Sequence, residues 1–141
     1  MKTRHVQLRD DLRQRGYDAT LSKTRTVLLR HNNLEYTVWI DRCDRRHFCV
    51  RREFWTVLTA DEQMCAERAA RAISAMHQGI QIFSMSIYIV AELNEIMPHP
   101  NAFLDDPQAY IDRLETAIRA FALMVLNSLP RPPMEPIIGY S

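Results

Sequence analysis

The sequence predicts an α+β fold: an antiparallel sheet of four to five strands with helices packed on one face, in the order α-β-β-β-α-β(β)-α. Three observations carry this. Residues 34–43 and 47–55 alternate apolar and polar with the period of a half-buried strand. Residues 59–77 and 106–129 carry apolar stripes at i, i+3, i+4 spacing behind recognisable N-terminal caps. Finally, runs of strands separated by helices point to an antiparallel sheet with the helices gathered on one side.

The first helix is expected from about Thr3 to Arg15, with Val6, Leu8 and Leu12 as its stripe. Gly16 stands where a left-handed C-terminal cap belongs, and Tyr17 is its apolar partner. Residues 18–56 read as antiparallel sheet. Val27–Arg30 is β-branched and apolar, Asn32-Asn33 is a tight turn, and Leu34–Cys43 places Leu34, Tyr36, Val38 and Ile40 on one face. After the polar break Asp44-Arg45-Arg46, His47–Trp55 returns as a strand with Phe48, Val50 and Phe54 on one face. Arg52 falls among these apolar positions. A bulge or an edge position is expected there, because an unpaired buried guanidinium is very costly.

Thr59-Ala60-Asp61-Glu62 is a capping box, with Thr at the N-cap and Glu three residues on. It opens a helix to about His77, with Cys65, Ala69, Ala72, Ile73 and Met76 on one side and Gly79 after its end. Residues 80–93 form one long strand or a hairpin bent near Ser84–Ser86, and 94–105 form a loop. Asp106-Pro107 then gives an acidic N-cap and Pro at the first helical position of a helix running to about Leu129. The division is one domain, 1–129, followed by a Pro-rich tail, 130–141. Met134, Ile137, Ile138 and Tyr140 suggest that the tail docks on a surface.

Composition narrows function by exclusion. The 141 residues are 47% hydrophobic and 25% charged, which is globular composition and not that of a disordered chain. No run of about 18 apolar residues predicts a membrane span, and no apolar segment near the start predicts a secretory signal. Three cysteines fit free thiols in a reducing cytoplasm. The net charge of +1 conceals an asymmetry: residues 1–57 carry 13 Lys/Arg against 7 Asp/Glu, and residues 58–141 carry 5 against 10.

This order of elements resembles the YbjN family. The resemblance rests on the opening helix ending in Arg15-Gly16-Tyr17, the short strands and meander of 34–56, the helix opened by Thr59 and the helix after Asp106-Pro107. Members of that family are described as sensory transduction regulators, with a fold similar to class I type III secretion chaperones. The family has an Asp/Gly turn between its last two helices, and residues 80–93 contain none. The resemblance implies no enzyme activity. It implies a small cytoplasmic bacterial protein, often a homodimer, that acts by binding other proteins.

Motifs of chemistry are few. Three glycines, Gly16, Gly79 and Gly139, cannot write a phosphate loop or a dinucleotide fingerprint, and no nucleophile elbow or zincin motif is present. No catalytic residue and no cofactor is expected. Asp41, Cys43, His47 and Cys49 form one local constellation. A hairpin turning at 44–46 with residue pairs summing to about 90 sets Cys43 opposite His47 and Asp41 opposite Cys49. Cys43, His47 and Cys49 are thus a weak zinc candidate, lacking the paired knuckles of structural sites. Arg42, Arg45, Arg46, Arg51 and Arg52, with Trp39, Phe48 and Trp55 interleaved, are the alternative reading, a single-stranded nucleic-acid surface. The pI of 7.8 weighs against it. The expected function is a protein-binding module, chaperone-like or regulatory, using surplus apolar side chains such as Trp39, Trp55, Met85 and Phe103. A homodimer covering the face of Trp39 and Cys49, or an open sheet edge, is expected as well.

Overall fold

The structure, a computed structural model, describes residues 3–41, 44, 46–57, 59–99 and 101–129. The tail 130–141 and its expected docking lie outside the described residues. Helix α1 (Arg4–Gln14) is followed by strands β1 (Asp18–Leu21), β2 (Val27–His31), β3 (Leu34–Ile40) and β4 (His47–Thr56). Helix α2 (Ala60–Met76) leads to strands β5 (Ile80–Met85) and β6 (Tyr88–Ile96), a short helix α3 (Ala102–Asp105) and helix α4 (Pro107–Ser128). The strands form one six-stranded antiparallel sheet in the order β1-β2-β3-β4-β6-β5. The α+β class is as expected. The sheet gains one strand, β1, too short at four residues to show a period.

Local chemistry fixes the ends of the elements. Gly16 takes φ +87° and the Tyr17 N–H returns to the Leu12 carbonyl at 3.0 Å, closing α1. Asn32 and Asn33 both take positive φ, 52° and 63°, as the two-residue turn between β2 and β3 requires. The Thr59 hydroxyl accepts from the Glu62 N–H at 3.1 Å at the start of α2. The Asp106 carboxylate accepts from the Ala109 N–H at 3.2 Å at the start of α4.

Residues 80–96 resolve as a hairpin. A turn at Ser86-Ile87, with Ser86 at φ 59°, pairs Met85 with Tyr88. A serine held in the left-handed region does the work of the Asp/Gly turn that the sequence lacks. The segment expected as a loop, 94–105, is partly regular: β6 continues to Ile96 because it pairs with His47 of β4, and α3 buries Phe103 and Leu104. On α2 the buried side is Ala66, Ala69 and Ile73, while Met76, expected in the stripe, is exposed. Small alanines there let α2 lie close against α4.

One core lies between the sheet and all three long helices. Leu8 and Leu12 of α1, Ile73 of α2 and Ile111, Leu114, Phe121 and Val125 of α4 meet Val27, Leu29, Tyr36, Val38, Val50, Ala91 and Leu93. Arg52 points into this side, and its expected remedy is wrong in detail. Strand β4 is central, and the bulge falls one step later, between Glu53 and Trp55. The guanidinium is paired instead: it donates to both Glu115 oxygens of α4 at 3.1 Å, and the Tyr36 hydroxyl donates to the same carboxylate at 3.0 Å.

Both free sheet edges are blocked at their centres. In β5 the Ile82 N–H points away from β6 and donates to the Ser74 hydroxyl of α2 at 3.0 Å. In β1 the Ala19 carbonyl accepts from Arg13 of α1 at 2.7 Å. A side chain on the outward backbone group occupies the position that an added strand needs. Ser74→Ala is expected to cost about 1 kcal/mol and to speed amide hydrogen exchange at Ile82. Unchanged exchange there would refute the blocking role.

Candidate functional site

Strand alternation sends every second side chain to the face opposite the helices. On that face lie Trp39 of β3, Cys49 and Arg51 of β4, Phe83 and Met85 of β5, and Tyr88, Val90 and Glu92 of β6. Among the described residues no helix covers it. Cys49 and Val90 are buried there yet stand outside the helix-side core.

Arg51 organises this face. Its guanidinium lies 5.2 Å from the Trp39 ring centre and 5.5 Å from the Phe83 ring centre. Its Nε donates to Glu92 Oε2 at 2.9 Å, and one Nη reaches the Met85 sulfur at 3.7 Å. A cation between two aromatic rings, fixed by a carboxylate, holds three strands' side chains in one arrangement. Around this cluster Met85, Ile87, Tyr88 and Ile96 remain exposed, at 42%, 51%, 43% and 62%. Beneath it the Cys49 thiol is pushed far above its ordinary value, first by burial and then by the neighbouring Glu92 carboxylate. The site is therefore an ordered, apolar and aromatic sheet surface with a neutral thiol under it. That arrangement suits docking of a side-chain surface.

The residues singled out from sequence divide between the two faces. Trp39 and Met85 stand together on the uncovered face, both touching Arg51. Phe103 is only 2% exposed and packs on Phe48 and Tyr110, so it belongs to the core and presents nothing to a partner. Trp55 is half-buried on the helix side: it stacks edge-on against Phe121 and donates to Glu62 at 2.6 Å. The bulge turned it inward.

The hairpin register corrects the constellation around the β3–β4 turn. Ile40 pairs with Phe48 and Trp39 with Cys49, so pairs sum to 88 and not 90. Asp41 therefore meets His47, its N–H donating to the His47 carbonyl at 2.8 Å. Cys43 lies outside the described residues, and among those described no three His, Cys, Asp or Glu side chains cluster as metal ligands. The Arg-rich hairpin also separates. Arg51 is engaged with Glu92, and Arg52 is half-buried against Glu115 on the opposite face. Arg46 is exposed beside Asp44, while Arg42 and Arg45 lie outside the described residues. Phe48, one of the interleaved aromatics, is in the core. The expected cation–aromatic platform for nucleic acid is thus not assembled among the described residues. Phe83, Tyr88 and Glu92 are not among the residues singled out from sequence; a Ser86-Ile87 hairpin sets all three on one face, but only the pairing of β6 with β4 brings that face beside Arg51.

No family model and no curated relative matches the sequence. Among solved structures, the chain is similar to a crystal structure of YbjN from E. coli, described as a candidate transcription regulator. The TM-score is 0.60 at 14% identity, covering 89% of this chain and 93% of that one. The fold expected from the order of elements is therefore the fold observed. No helix among the described residues is long and apolar enough to cross a membrane.

Proposed function

We propose that this chain is a non-enzymatic protein-binding module, regulatory or chaperone-like, that captures a segment of a partner on the uncovered face of its sheet. One observation carries the reading: the Trp39–Arg51–Phe83 stack with exposed Met85 and Tyr88 beside it, on a face that no described helix covers. Aromatic rings and a thioether held in place before contact lose little entropy on binding, which favours them as anchors. The blocked edges support docking on the face over strand addition. The likeness to a candidate transcription regulator supports the regulatory sense of the reading.

A photo-cross-linking residue at position 85, expressed in the native host, is expected to give a discrete protein adduct. The same residue at exposed position 119, on the outward side of α4, is the control. Equal yields at both positions, or an adduct at 119 alone, would overturn the reading.

A further inference from the structure

Deepening that reading, and resting on it, we infer that the partner segment is basic and amphipathic, with a Lys or Arg seated between Glu35 and Glu53. Two residues beyond the Thr37–Arg51 pair, these two carboxylates line one depression of about 390 Å³ together with Thr37 and Arg51. Both are exposed, and neither has a hydrogen-bond or ion-pair partner among the described residues. Arg51 is committed to Glu92, and Arg30, the cross-strand neighbour of Glu35 on β2, forms no ion pair with it. Like charges side by side on neighbouring strands are unfavourable in the free protein, and a cation between them removes that cost.

The balance of the whole face agrees. Its charged strand positions are four carboxylates, Asp18, Glu35, Glu53 and Glu92, against two guanidiniums, Arg30 and Arg51. The face is net −2 on a chain that is net +1. The apolar half of the surface lies directly alongside, since Glu53 pairs with Val90, and Val90 with Phe83. A segment with its cation in the depression lays its apolar side chains on Phe83, Met85 and Tyr88. A second copy fits less well, because a two-fold contact sets this negative face against itself. An acidic segment meets the same repulsion.

The test is to pan a random library of 12-residue peptides on the full chain and titrate the dominant peptide by fluorescence anisotropy. Two variants at exposed positions are compared, Met85→Ser/Tyr88→Ser and Glu35→Gln/Glu53→Gln. The expected peptide carries Lys or Arg beside apolar residues. It loses binding to the first variant and binds the second about tenfold more weakly, with affinity falling as salt rises. Neutral or acidic peptides that need Met85 and Tyr88 but ignore the two carboxylates would overturn the inference and leave the docking face standing. Two outcomes would overturn both: no peptide depending on Met85 and Tyr88, or a homodimer that the first variant converts to monomer in sedimentation.

Discussion

Replacing Glu115 by Ala is expected to lower the unfolding free energy by about 3 kcal/mol. Glu115 is 16% exposed and Arg52 15%, so neither charge has much water to fall back on. The carboxylate accepts two hydrogen bonds from Arg52 and one from the buried Tyr36 hydroxyl. Removing it leaves a guanidinium of β4 and a hydroxyl of β3 unpaired on the apolar side of the sheet, and stranding a poorly solvated charge costs more than the pair contributes net. Replacing Arg52 by Met together with Glu115 by Leu therefore recovers most of the loss, because both charges leave at once. Urea titration of the single and double variants reads this. A single variant within 0.5 kcal/mol of the parent, taken as roughly the scatter of ordinary surface changes, would refute the role of the pair.

A second large effect is expected in alkali. The Cys49 thiol and the Tyr36 phenol both have pKa values raised in the folded state, and in each burial is the first cause. Glu92 adds to it at Cys49, and Glu115 at Tyr36. In the unfolded chain these groups ionise near their ordinary values of 9.0 and 10.0. Above those values the unfolded state holds fewer protons than the folded state, so stability falls as pH rises. Below about pH 8 both groups are protonated in both states and add no pH dependence. The expected slope is about 1.4 kcal/mol per pH unit once Cys49 is titrating in the unfolded chain. It is at least twice that above pH 10, where Tyr36 joins and Tyr110, whose pKa burial also raises, adds to it. Denaturation midpoints between pH 8 and 11 check it. Cys49→Ala is expected to flatten the segment from pH 9 to 10, and Tyr36→Phe to reduce the slope above 10. A midpoint constant to pH 10.5 would contradict the burial of both groups.

Some of the proposed docking face was legible in the residues. Trp39 was expected on the polar parity of its strand and Met85 among the partner-binding side chains, and both stand beside Arg51. Trp55 and Phe103 carried the same apolar signal and went to the core. Hydrophobicity reports that a side chain will seek cover. It does not say whether the cover is the protein's own helix or something outside it.

The sequence alone determined what local hydrogen bonds and chain stereochemistry decide. Gly16, Asn32-Asn33, Thr59 and Asp106 set turns and caps within three or four residues of themselves, so their effects can be read in a short window. The alternation of Leu34 to Ile40 likewise fixed which side of β3 is buried, since period 2 belongs to the strand itself. Tertiary structure decided the rest. The β3–β4 register shifted by two in the pair sum, moving Asp41 from Cys49 to His47. The bulge at Glu53/Trp55 turned Trp55 inward. Arg52 found its carboxylate 63 residues away on α4. Arg51 gained Phe83 and Glu92 only because β6 inserts between β4 and β5. Each of these depends on which distant element fills a given space, and that choice is made by packing the whole core, which no local pattern encodes.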